Sequence, residues 1–388
     1  MSRLLLLALA CCALLPLSAA RVRSIVRYGA RPADVSRTTR AFQRAYAAAA
    51  DGDTIFVPRG VWPTATVVLR SHTVLFLAEG AVLRGAEDLD LYRHYQPSRP
   101  MTRYDSGLGT CNANAADDAR WTRALILGQG VTDVTICGRG TIDGGHLTDP
   151  LGEEGMRGPH ALLLAEADHV AVRGVTITRA SNYAVLGYDL ADCTFADLRI
   201  REGWDGIHIR GGWDGIHIRG GRDILIARCD LLTGDDAIAG CYLTHCRITD
   251  CHISSSCHGL RLIGPAEGLD IGYTLFDGPG VYPHRTALVS SQGQAVSPPA
   301  PRSLYAVLIE PGAWGQMPGA VSGVCVHDCT MYHLTGAVAF TATPANPLID
   351  ITLRRLHLHG LTVPLPLNRW ETSVYWERIT QDACTSTS

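Results

Sequence analysis

An all-β chain folded as a right-handed parallel β-helix, closed at its N-terminal end by a short helix, is predicted from three observations. The first is a repeat. An eight-residue frame, apolar or small at its first, third, sixth and eighth places, reads Val170-Val172-Val175-Ile177, Cys193-Phe195-Leu198-Ile200, Ile224-Ile226-Cys229-Leu231, Cys246-Ile248-Cys251-Ile253, Leu269-Ile271-Thr274-Phe276, Val324-Val326-Cys329-Met331 and Ile351-Leu353-Leu356-Leu358. Alternation broken by one extra residue means two short strands meeting at a bend, not a helix. The second observation is the period. Frame starts lie 23, 31, 22, 23, 55 and 27 residues apart, and units of this size cannot bury an apolar face alone, so they stack into a solenoid. The third concerns the rival leucine-rich repeat: its leucine and asparagine signature is missing, and Gly, Thr, Val and Asp fill the turns.

The elements follow in order. Behind Arg3, the run from Leu4 to Leu17 is apolar and leads into Ser18-Ala19-Ala20, the pattern of a secretory signal peptide over 1–20. Its fourteen residues fall short of the roughly 20 that a spanning helix needs. The mature chain, 21–388, is expected to be one secreted catalytic domain, monomeric and free of the membrane. A net charge of -3 over 388 residues gives no polyelectrolyte character, so nucleic acid is not an expected partner. Thr38 to Ala50 has Ala41, Phe42, Ala45, Tyr46 and Ala49 on one side, the pattern of an amphipathic helix that would cover the open end of the core. Thr54 to Pro58, Thr66 to Leu69 and Thr73 to Leu77 supply strands of the first coils.

The wide interval of 55 residues predicts a long excursion over 277–320, too long for a neutral connection. After Leu361 the pattern fades, and 361–388 is expected to form a C-terminal cover. Eleven of the 13 cysteines follow the signal peptide. Cys229, Cys251 and Cys329 share an inward slot of the frame and read as packed thiols. Cys241 with Cys246, or Cys325 with Cys329, are possible bridges that spacing does not decide. The pairs His327 with His333 and His357 with His359 lack the helical setting of a zinc site and read as structural or surface residues.

The chemistry gathers between Gly203 and Gly259. GWDGIHIRG occurs twice in tandem, at 203–211 and 212–220, followed by Gly234-Asp235-Asp236 and Cys257-His258-Gly259. Removing nine residues from the 31-residue spacing leaves 22, the ordinary coil. Stacking then aligns one aspartate of the duplicated segment with Asp236 and His258. Counted from the preceding frame the first member is Asp205; counted from the following one it is Asp214, which keeps the downstream geometry intact and is the preferred reading. The same face carries His217 or His208, then Ala239, Arg261 and His284. Neighbouring carboxylates repel, which pushes one pKa up and sets a general acid beside an ionised base.

Over nearly the whole mature chain the sequence resembles glycoside hydrolase family 28, the polygalacturonase family. Trp213-Asp214-Gly215, Gly234-Asp235-Asp236 and Cys257-His258-Gly259, in that order and at coil spacing, are similar to its three main motifs. Val26-Arg27-Tyr28-Gly29-Ala30, Phe56 to Trp62 and Gly138 to Gly144 are similar to other common stretches. The resemblance implies an inverting hydrolysis of pectic or related polysaccharides that requires no metal or cofactor. In it Asp235 is the general acid, Asp214 and Asp236 hold and deprotonate the attacking water, and His258 organises the site. Two departures stand out: Cys257 replaces a glycine, and no Arg-x-Lys motif follows His258. Arg261, His217, His284 and Arg285 are the candidates to bind the substrate. A calcium-dependent β-helix lyase and a catalytically inactive carbohydrate-binding solenoid are the alternatives.

Overall fold

The computed structural model describes residues 20–105, 115–152, 156–201, 215–282, 303–313, 315–363, 365 and 376–387. Their strands all run parallel from coil to coil, so the chain winds as a β-helix with three strands to a full coil. One such coil comprises His160–Ala165, Asp168–Arg173 and Thr176–Thr178. The next comprises Val185–Ala191, Thr194–Ala196 and Arg199–Arg201, and pairs with it residue for residue. Each side of the resulting prism is a sheet whose inward residues stack in columns, such as Val172, Phe195, Ile226, Ile248, Ile271, Val326 and Leu353.

The extra residue in the frame is a corner. Asp197, Arg228, Asp250 and Asp328 turn the chain there with φ between 48° and 57°, and Asp192, Asp223, His245 and Asp350 do the same before the second strand. Left-handed backbone disfavours most side chains and is tolerated best by Gly, Asn and Asp, which is why aspartate punctuates the repeat. Behind the corner, Cys229, Cys251 and Cys329 point inward and are buried. Each thiol donates to a carbonyl two residues back, at 3.2 to 3.4 Å, a bond that Thr274 makes at 2.9 Å in the same slot. All ten described cysteines are free thiols, so the possible bridges from Cys241 to Cys246 and from Cys325 to Cys329 are not formed.

The capping helix is present as Val35–Ala47, with Ala41, Phe42, Ala45 and Tyr46 buried as expected. It begins earlier than Thr38 because the Asp34 carboxylate accepts a hydrogen bond from Arg37 N at 2.9 Å and caps the first turn. Two expectations are corrected. Tyr305–Ile309 lies inside the stretch 277–320 yet pairs with Leu260–Leu262 on one side and Gly336–Phe340 on the other, so the solenoid resumes well before residue 320. The C-terminal stretch is a further coil: Trp376–Asp382 and Thr385–Thr387 extend two sheets.

A second apolar cluster lies outside the prism. Tyr95, Met101, Tyr104 and Trp121, from the segment that follows the first coils, pack on the outward side chains Leu163, Leu186, Tyr188 and Cys241. Trp121 Nε1 donates to the Tyr188 hydroxyl at 2.9 Å, and the Tyr95 hydroxyl donates to Glu166 at 2.7 Å. One sheet is therefore buried on both sides, and the candidate site sits at its edge. Among the described residues, no helix is long and apolar enough to cross a membrane.

Candidate active site

Asp235 and Asp236 occupy the bend between the strands Asp230–Thr233 and Ile238–Thr249. The bend is pinned from beneath: Thr233 Oγ1 and Ser255 Oγ donate to the Asp235 carbonyl at 2.8 and 2.7 Å. Asp235 Oδ1 accepts from Asp236 N at 3.0 Å, a local bond that aspartate favours at turns. One coil on, His258 takes the equivalent bend, and Ala237 N donates to the His258 carbonyl at 2.9 Å. The expected stacking of Asp236 and His258 is therefore present. The ladder runs Val185, Ile216, Ile238, Leu260, Val307. Two places upstream of Val185, the same slot is taken by Tyr183.

The copy of the nonapeptide that enters the ladder is the second, through Ile216 to Arg219, and Gly215 N donates to the Asp236 carbonyl at 3.0 Å. Asp214, Asp205, His208, His284 and Arg285 lie outside the described residues. In the outward slot of the sheet, His217, Ala239 and Arg261 follow one another as expected; Leu186 precedes them, and Leu308 comes next, where His284 was expected.

Asp236 is fully buried. Its Oδ1 accepts from His258 N at 3.2 Å and lies 2.7 Å from His258 Nδ1. A carboxylate at that distance keeps the proton on Nδ1 and leaves Nε2 as the open nitrogen. The Tyr305 ring lies parallel to the imidazole, at 6.2 Å between centroids. Asp236 Oδ2 has no hydrogen-bond partner among the described residues, and its nearest cation is Arg261 Nη1 at 3.6 Å. Arg261 also donates to Glu310 at 2.8 Å. Burial works against the Arg261 charge, but Asp236 and Glu310 outweigh it and hold the guanidinium above its ordinary value.

Asp235 has a cation of its own, Arg157 Nη2 at 3.8 Å from Oδ2. Arg157 is 3% exposed. It donates to Asn182 Oδ1 at 3.3 Å and lies over the Tyr183 ring. The neighbouring carboxylates thus engage different arginines, which offsets their repulsion. Asn182 Nδ2, also buried, lacks a partner among the described residues. Cys257 Sγ lies 3.1 Å from His258 Nδ1. Burial, reinforced by the charges of Asp236 and Asp235, drives its pKa far above the ordinary range, so it stands there as a thiol.

His217, expected to touch substrate, is fully buried instead. Its ring stacks on Tyr183 at 4.7 Å, and Nε2 accepts from Arg219 Nε at 3.3 Å. Burial, then Arg219 and Arg157, push its pKa well down, so the ring is a neutral support. Next to it, His160 accepts from Tyr183 N at 3.2 Å through Nδ1 and bonds the Trp121 carbonyl through Nε2 at 2.8 Å. Arg157 and His160 carry no motif and recur in no frame slot of their own, so nothing in the sequence singled them out as site residues.

Residues 106–265 match the model of glycosyl hydrolases family 28. A probable polygalacturonase of Vitis vinifera is 34% identical over 127 residues, 31% of this chain and 24% of its own length. An exo-poly-alpha-D-galacturonosidase of Dickeya chrysanthemi is 31% identical over 117 residues, 29% of this chain and 19% of its own. The chain thus spans a quarter or less of the curated relatives it matches. Among solved structures, the exopolygalacturonase of Thermotoga maritima superposes with a TM-score of 0.61 at 14% identity, covering 94% of this chain and 91% of that one. In sequence over residues 106–265, and in fold over nearly its whole length, the chain resembles family 28 of the glycosyl hydrolases.

Proposed function

We propose that the chain is a secreted, inverting glycoside hydrolase that cleaves galacturonic-acid-containing or related polysaccharides. The observation that carries the reading is the buried Asp236 carboxylate. One oxygen is tied to His258 and the other has no hydrogen-bond partner among the described residues, while Asp235 stands beside it with a separate cation. A buried acceptor without a partner calls for an explanation, and a water held for attack supplies one.

In this mechanism Asp235, as the carboxylic acid, gives its proton to the glycosidic oxygen as the bond to the anomeric carbon breaks. Asp236 Oδ2, with Asp214, holds a water on the opposite face of the sugar. The water oxygen attacks the anomeric carbon and its proton passes to the carboxylate, which inverts the centre. His258 fixes Asp236 through Nδ1 and presents Nε2 to the sugar hydroxyls. Arg261, paired with Glu310 at the rim, supplies positive charge for a uronate carboxylate. His217 takes no direct part and supports the floor.

The test is reducing-end release from a panel of pectic polysaccharides, with ultraviolet absorbance followed in parallel and with chelator present or absent. The expected result is activity that resists chelator, leaves absorbance flat and falls about 10²–10⁴-fold in Asp235→Asn, the span of general acid catalysis. Calcium-dependent absorbance would identify a lyase. A folded protein that binds the polysaccharide but releases nothing at any pH would be a binding solenoid.

A further inference from the structure

Away from the bend that carries Asp235, on the outward side of the adjoining sheet, Asp270, Cys325 and His327 stand together. Asp270 pairs with Cys325 and Gly272 with His327 in neighbouring coils. One ligand atom from each of the three side chains lies within 4.8 Å of the others. His327 Nε2 is 2.8 Å from Asp270 Oδ1, and its Nδ1 is 2.7 Å from Asp328 Oδ2. Asp328 is itself held by Arg355, whose Nε donates to Oδ1 at 2.6 Å. Asp270 Oδ2 has Arg247 Nε at 3.4 Å.

Gly272 makes room for this arrangement. A Cβ there would meet His327 Cε1 at 2.5 Å and Nε2 at 2.7 Å. Gly272 is not one of the glycines with positive φ, so its backbone does not call for glycine. The same slot holds Thr249 one coil earlier and Arg354 one coil after His327. What the missing side chain provides is space for the Nε2 edge of the imidazole, beside Asp270.

We propose that Asp270, Cys325 and His327 form a site for a thiophilic divalent metal, zinc foremost. His327 Nε2, Cys325 Sγ and one Asp270 oxygen are the ligands, with a fourth position left to water. The donor set is one that zinc takes tetrahedrally, at about 2.0–2.3 Å. Asp328 orients the imidazole from Nδ1, as a carboxylate commonly does behind a metal-bound histidine. The metal takes the lone pair of His327 Nε2, with the ring proton on Nδ1 toward Asp328, and replaces the proton of the Cys325 thiol, which leaves to solvent; no electron is transferred. The ligands come from two coils whose connecting chain includes residues 283–302, so the metal ties the solenoid together across that insertion. The expectation that His327 has no part in a metal site looked to His333, whereas Cys325 lies two places back on its own strand and Asp270 on the neighbouring one. The proposal does not depend on the glycosidase reading.

Cobalt(II) titration of the purified full chain tests it, because a thiolate ligand adds a near-ultraviolet charge-transfer band. The expected result is one equivalent bound with that band, its loss in Cys325→Ser, and affinity at least tenfold weaker in His327→Gln and Asp270→Asn. Zinc then raises the thermal unfolding midpoint of the wild type and not of Cys325→Ser, with circular dichroism confirming that each variant is folded. Absence of a band overturns the proposal. So does a band that survives in Cys325→Ser and disappears in Cys257→Ser, which would place the metal beside Asp236, or in Cys137→Ser, another half-buried thiol.

Discussion

His160 shows how much of the site is fixed by single buried groups. Burial lowers its pKa to about 3, against the smaller raising effect of its bond to the Trp121 carbonyl. His217, beside the same Tyr183 ring, is depressed as well. The unfolded chain titrates these imidazoles near 6.5. Above that pH neither form binds the proton and stability is unaffected. Between about 6.5 and about 3 the unfolded chain carries a proton that folded His160 refuses, so stability falls as pH drops. The slope is about 1.4 kcal/mol per pH unit for each such histidine. Urea midpoints measured from pH 7 to pH 4 should show this fall, and His160→Gln should flatten it by about one histidine's share. Neither residue's role could be read in the chain. The sequence places His217 in the outward slot, but its burial goes with the Tyr183 ring stacked on it and the Arg219 side chain beside it. His160 and Arg157 matter through neighbours that no local pattern announces.

At the scale of elements, the coil was readable because two rules coincide: inward apolar residues at fixed places, and a left-handed corner where aspartate or glycine is tolerated. Readings failed where one rule lapsed. Gln381 stands opposite Leu353, so the last coil broke the apolar frame and passed for a tail. Tyr95, Met101, Tyr104 and Trp121 pack on the outside of a sheet, where no period marks them. The capping helix was found from its apolar face but started late, because its first turn is polar and only the Asp34 bond to Arg37 N marks the beginning. Asp34→Ala should lower stability by about 1 kcal/mol, the usual worth of such a cap. A shift of the urea midpoint with an unchanged slope would register it.

For the molecule as a whole, stacking explains why chemistry distant in sequence meets in space. Asp236 and His258 are 22 residues apart and adjacent in the ladder, while Arg157 reaches Asp235 from a coil far earlier. Each motif is weak by itself, and the solenoid brings Asp235, Asp236 and His258 to neighbouring bends. The same stacking gives the duplicated nonapeptide an unusual property. Ile216 to Gly220 fills a coil between Val185 and Ile238, and Ile207 to Gly211 has the identical sequence. A slip of nine residues would exchange one copy for the other without altering a single side chain in that part of the strand. The chain therefore carries a spare for its first proposed catalytic aspartate. Activity should survive Asp205→Asn, persist in part in Asp214→Asn, and vanish only when both are replaced. Complete loss in Asp214→Asn alone would mean that the register is locked and the spare is never used. A protein with such a reserve can lose an essential residue to mutation and keep its function, a tolerance ordinarily reached only by duplicating the whole gene.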